Sequence, residues 1–146
     1  MTGTGPETQA AAGSTARRLA LEPGAPVYEI RRLRLADGEP LILETIYVPV
    51  AVCPGLSHTD LAAAPLYTLM STRYGVPLLR ATQYFEPAVA DDYESATLRM
   101  KPGAPVLLLQ NLTYTTLDRP VVLSRAIMRG DRVRYLVELN LPLPPN

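Results

Sequence analysis

Arg32 and Arg34 stand two residues apart in the stretch RRLRLADGEPLILE, and Glu44 closes it. On an extended chain, residues two apart point to the same side, so a strand here presents both guanidiniums together with Tyr28 and Ile30. A guanidinium binds phosphate or carboxylate through a planar fork of N–H donors, and a nearby carboxylate can hold that fork or accept hydrogen bonds from a ligand. The chemistry this suggests is recognition of an anion that also carries hydroxyl or amine donors. The competing reading is a solvated strand face, where a surface ion pair contributes about 0 to 1 kcal/mol.

Whether Glu44 joins the arginines depends on the turn at Asp37-Gly38. A two-residue loop pairs Arg31 with Glu44 and sets Arg32 and Arg34 against Leu43 and Leu41. A three-residue loop, with Gly38 as the left-handed residue of a bulge, shifts the register by one. The second register is the one expected here: Arg32 opposite Ile42, with Glu44 its diagonal neighbour on the same face.

Other chemistry is scarce. The single cysteine, Cys53, and single histidine, His58, exclude an internal disulfide and a Cys/His zinc cage, and neither metal nor cofactor is expected. Both lie in the connector VPVAVCPGLSH, where the thiol reads as inert, because a reactive cysteine needs a held basic neighbour. Lys plus Arg and Asp plus Glu both number 14, so no net field draws the molecule toward nucleic acid, and DNA binding by this chain alone is not expected. The apolar stretches around 40–54 and 105–109 fall short of the roughly 20 residues of a spanning helix. The chain therefore reads as soluble and cytoplasmic, without a membrane partner. With 146 residues, 47% of them apolar, it suffices for one domain with a buried core.

The elements that must position the arginines are marked by a repeat. PGAPV occurs at Pro23–Val27 and again at Pro102–Val106, and the match widens: LALEPGAPVYEIRRLR lies over LRMKPGAPVLLLQNLT at a constant offset of 79 residues, and ADGEPLILE then lies over TLDRPVVLS with one residue inserted. Each copy reads as a short helix, a Pro-Gly break, a strand, a tight turn and a second strand. Gly24 and Gly103 are expected to close the helices at positive φ, with Ser14 and Asp91 or Asp92 as N-caps. The period then changes to two, as in half-buried strands. Between the copies, TDLAAAPLYTLMSTRYG reads as a helix capped by Thr59 and interrupted at Pro65, and 76–87 as a strand. VRYLVELNL reads as a closing strand. The sum is an α+β fold: about six strands, mostly antiparallel, with three helices packed on one face. Residues 1–13, rich in Thr, Gly, Ala and Pro, read as a flexible tail or linker remnant, and 14–146 as the domain.

The second copy carries uncharged residues, Asn111, Thr113 and Ser124, where the first has the charged set. Arginines that served only solubility would be expected in both copies, so the asymmetry favours a specialised site. Tyr67, Tyr84 and Ser124 are further candidates to line it.

At this point the sequence resembles a UTRA domain, the effector-binding half of HutC-type GntR transcription regulators, which shares the chorismate lyase-like fold. The resemblance runs from Ala16 to about Leu141, through ARRLALEPGAPVYEIRRLRLADGEPLILETIYVP, DLAAAPLYTLMSTRYGVPL and ATLRMKPGAPVLLLQNLTYTTLDRPVVLSRAIMRGDRVRY. It implies a small-molecule sensor in which Arg32 and Arg34 hold an anionic group and Glu44 contacts the body of a small anionic organic effector. It also implies a homodimer that meets DNA only through a winged helix-turn-helix domain outside this chain. The chain departs from the pattern of sugar-phosphate sensors at Pro65, at Val121-Val122 and at Met128, which makes the expected pocket more apolar and suits an organic anion with a greasy or aromatic portion. Two other classes compete. A chorismate lyase-like enzyme would use Glu44 as acid or base and turn over an enolpyruvyl substrate. A dimerisation module with a vestigial pocket would bind no anion at all.

Overall fold

A computed structural model describes residues 2–142. The repeat written in the sequence is a repeat in space. Strands β1 (Thr2–Ala10), β2 (Pro26–Ala36), β3 (Glu39–Pro49), β4 (Leu78–Val89), β5 (Pro105–Thr115) and β6 (Pro120–Arg129) form one sheet in the order β1-β2-β3-β6-β5-β4, with every adjacent pair antiparallel. That order reads the same from either edge. The last strand of each copy lies at the centre, β3 against β6, and the first strand of each lies at an edge, so the unit is strand-helix-strand-strand.

The helices are α1 (Gly13–Arg18), α2 (His58–Ala63), α3 (Leu66–Thr72) and α4 (Asp92–Thr97). The copies agree bond by bond around α1 and α4. Leu19 donates to the Thr15 carbonyl at 3.0 Å and Leu98 to the Glu94 carbonyl at 2.9 Å; Leu21 donates to Ala16 and Met100 to Ser95, both at 2.8 Å. Ala20 at φ 53° and Arg99 at φ 55° take the left-handed position that ends each helix. The expectation that Gly24 and Gly103 do so is corrected: at φ 82° and 79° they turn the chain into the following strand. Asp91 caps α4, its carboxylate accepting from Glu94 N–H at 2.7 Å while Glu94 accepts from Asp91 N–H at 3.1 Å. α1 begins after Ala12 without a side-chain cap, and Ser57, not Thr59, caps α2.

The sequence expectation is corrected at both ends. Residues read as a tail form β1, whose Gln9, Thr8 and Glu7 pair with Val27, Tyr28 and Glu29. An edge strand needs backbone hydrogen bonds from one neighbour and little side-chain burial, so a Gly- and Thr-rich segment suffices. VRYLVELNL, expected as a strand, has no ladder. The chain leaves β6 at the centre of the sheet, where β3 and β5 already fill both sides, so the alternation has no strand to pair with there. The count of six strands is met by different members.

The helices occupy both faces, not one. Leu19 and Ala16 pack with Val27 and Leu123, and Leu98 with Val106 and Ile127, so α1 and α4 cover one face. Leu66, Leu69 and Met70 of α3 pack with Tyr28, Ile30, Ile46, Val48 and Val122 on the other. That second face carries the arginines, and α2 and α3, which have no counterpart in the second copy, partly roof it. Among the described residues, no helix is long and apolar enough to cross a membrane.

Candidate functional site

The turn joining β2 to β3 is a two-residue hairpin, with Asp37 at φ 52° and Gly38 at φ 78°. The register shift lies inside the ladder: Ala36 pairs with Glu39 and Leu35 with Pro40, then Arg34 pairs with Ile42 and Arg32 with Glu44. The extra residue, Leu41, is a bulge on β3. The expected pairing of Arg32 with Ile42 is therefore corrected, and Glu44 stands directly opposite Arg32. Its consequence is the same, since Arg32, Arg34 and Glu44 share one face.

The ladders carry that face across the sheet. Ile46 pairs with Ser124, Ser124 with Asn111, and Asn111 with Gln83. Arg32, Arg34, Glu44, Tyr67 and Ser124, with Ile46, Pro65, Leu66 and Val122, line one cavity of about 190 Å³. Five of the six polar residues singled out in the sequence thus meet, Tyr84 being the exception. Arg34 Nε lies 3.5 Å from Glu44 Oε2, with the Arg34 side chain 50% exposed and Glu44 only 17%. The carboxylate is tucked in while the guanidinium stands at the mouth. Arg32 makes no ion pair among the described residues, which leaves its fork unspent. A second hollow of about 570 Å³ adjoins the first across Arg32, Arg34 and Pro65, and runs under α2 along Leu61 to Ala64 to His58.

The roof is fixed by two devices. Ser57 and Asp60 form a reciprocal cap, with Ser57 N–H to Asp60 Oδ2 at 2.9 Å and Asp60 N–H to Ser57 Oγ at 3.1 Å. The Ser57 hydrogen bonds, with Arg73 behind them, hold the Asp60 carboxyl below the usual carboxylate range. Tyr67, at the start of α3, is tied to the sheet: its hydroxyl lies 2.9 Å from Thr113 Oγ1, Asn111 Nδ2 donates to it at 3.4 Å and to Thr113 Oγ1 at 3.0 Å, and Gln83 Nε2 donates to Asn111 Oδ1 at 3.1 Å. Asn111 and Thr113 are buried. Gln83 was not visible as a site residue in the sequence, although the period-two alternation of β4 against Asn111 is the signal that finds it. Tyr84, a sequence candidate, pairs with Gln110 on the opposite face and leaves the list.

Cys53 and His58 do not form a nucleophile pair. Cys53 is fully buried, and burial pushes its thiol up to about 11; His58 Nδ1 sits 2.9 Å from the Gly5 carbonyl. A thiol reagent at pH 8 should leave Cys53 unmodified in the folded protein and titrate one thiol after urea unfolding, as followed by absorbance. Because the folded pKa lies above the unfolded value, the stabilisation is complete below the unfolded pKa of about 9 and is lost as pH rises toward 11.

The UTRA domain family model matches residues 6–134 of this sequence. The chain belongs to that family. The UTRA domain here is 32% identical over 117 residues to the HTH-type transcriptional repressor PhnF of Mycolicibacterium smegmatis, covering 80% of this chain and 48% of PhnF. It is 28% identical over 110 residues to the repressor NagR of Bacillus subtilis, covering 75% of this chain and 45% of NagR. The domain thus spans about half the length of these relatives. Among solved structures, the ligand-binding domain of a GntR-family transcriptional regulator from Bordetella bronchiseptica superposes with TM-score 0.85 at 30% identity, over 92% of this chain and 87% of that one. The C-terminal domain of the histidine utilization repressor from Pseudomonas syringae shares the fold, with TM-score 0.86 at 23% identity, over 96% of this chain and 97% of that one. A UTRA domain is an effector-binding domain, and the α+β sheet is its architecture.

Proposed function

We propose that this UTRA domain is the sensor of a cytoplasmic GntR-type regulator: it holds an anionic organic metabolite at Arg32 and Arg34, reads the rest of it with Glu44, Ser124 and Tyr67, and turns nothing over. The observation that carries this reading is convergence, since five polar side chains from β2, β3, α3 and β6 line a single cavity. Arg32 offers an unspent planar fork, and Glu44 accepts from ligand donors while holding Arg34. Relay to DNA runs through a winged helix-turn-helix domain outside this chain, in a homodimer. The effector achieves this by binding one domain arrangement more tightly than another.

The test is a melting screen against anionic metabolites. A true effector raises the midpoint with concentration, since stabilisation grows as RT ln(1 + [L]/Kd). The same compound should shift Arg34→Ala less than the unmodified domain and Arg32→Ala least of all. No shift with any anion in the unmodified domain would leave the vestigial-pocket reading standing, and product formed from chorismate would establish the enzymatic one.

A further inference from the structure

The ladder that pairs Arg32 with Glu44 continues through Ala126 and Leu109 to Phe85 at the far edge. In that direction the face changes from cationic to apolar. Among the described residues no helix roofs this strip, because α2 and α3 pack over the opposite end, around Tyr28 and Val48. What stands there is Tyr135, from the segment that follows β6. Its ring meets Phe85 edge-on, with centroids 4.9 Å apart and planes at 66°, and its hydroxyl donates to Met128 Sδ at 2.7 Å. Met128 pairs with Ile42, which pairs with Arg34. The Arg34 charge is felt at the Tyr135 hydroxyl, opposing the burial that raises its pKa. Tyr135 therefore stands between the arginine at the cavity mouth and Phe85.

We infer that the strip from Ala126 through Leu109 to Phe85, closed by Tyr135, is a subsite for an aromatic ring attached to the anion that Arg32 and Arg34 hold. This deepens the sensor reading and rests on it. Phe85 and Tyr135 are each 45% exposed, which leaves unburied aromatic surface on the face that carries the arginines, with Tyr135 on the side toward them. Ala126, the small residue of the strip, pairs with Glu44 across the ladder. A ring laid there buries apolar area on Leu109 and meets the aromatic pair in edge or offset geometry. The Tyr135 hydroxyl can turn to the ligand, because a thioether is a weak acceptor and little is lost. The Tyr67 hydroxyl, held by Thr113 and Asn111, stays in place. The subsite thus has one fixed wall and one that can swing.

Calorimetric titration of the full chain with two pairs of probes tests this: inorganic phosphate against 2-naphthyl phosphate, and acetate against 2-naphthoate. In the pair whose head group the arginines accept, the naphthyl compound should bind about tenfold tighter or more. Tyr135→Ala and Phe85→Ala should remove that gain while leaving affinity for the simple anion unchanged, and Tyr135→Phe should keep most of it. An equal affinity within both pairs, or a gain that survives Tyr135→Ala, overturns the ring subsite. If the simple anion binds in an Arg34-dependent way without a ring gain, the ring subsite alone fails; if no probe binds, the anion anchor fails with it.

Discussion

Arg32→Ala should weaken effector binding by about a hundredfold, and Arg34→Ala by about tenfold, measured by calorimetry with the anion found in the melting screen. The two guanidiniums share a strand face but not a situation. Arg34 already faces Glu44 at 3.5 Å with half its side chain in water, so part of its donor capacity is spent and part of its charge is screened. Arg32 has no ion pair among the described residues, and an anion that docks on it gains a charge-assisted, bidentate contact worth about 1.5 to 3 kcal/mol. Glu44→Gln separates the roles further. For an anion without donors, removing the carboxylate frees Arg34 and tightens binding; for a ligand whose hydroxyl or amine bonds Glu44, it weakens binding. Unchanged affinity in both arginine variants, with Glu44→Gln neutral for every ligand, would place the anion elsewhere.

Leu19→Ala and Leu98→Ala should each cost about 3 kcal/mol in urea unfolding, and the double variant should cost their sum. The two leucines occupy the same place in the two copies, one residue past α1 and α4 respectively, and are 1% and 0% exposed. Each truncation removes transfer free energy and leaves a cavity in a packed cluster, for which about 2 to 5 kcal/mol is usual. The clusters are separate, one around Val27 and Leu123 and the other around Val106 and Ile127. Residues without shared partners add to within about 0.5 kcal/mol. Against a total stability of about 5 to 15 kcal/mol, the double variant sits near the unfolding threshold at room temperature. A coupling above about 1 kcal/mol between them would show that the halves share one core.

The repeat was legible because its signals are local. Pro and Gly fix turns, a change of period marks the strand, and an offset of 79 carries through helix, break and ladder alike. The face shared by Arg32, Arg34 and Glu44 was legible too, although the bulge at Leu41 was not, since a bulge is chosen by ladder geometry and leaves no mark in residue type. β1 escaped because edge pairing is a backbone matter, and TGTGPETQA shows no alternation. VRYLVELNL misled for the opposite reason: its alternation is real, but alternation states a preference for pairing without supplying a vacant neighbour. Gln83 and Tyr135 stayed invisible because each gains its role from residues distant in sequence, across a register that must be known first.

The sheet that reads alike from both edges divides labour between its halves. One copy has taken on charge at Arg32, Arg34 and Glu44, while the other has filled the matching ladder positions with Asn111, Thr113 and Ser124, two of which tie Tyr67 in place. A substitution that changes what the first half attracts leaves the stiffening in the second half untouched. Taste for a new compound can therefore drift by small steps at the charged end, while Asn111 and Thr113 in the twin keep their tie to Tyr67.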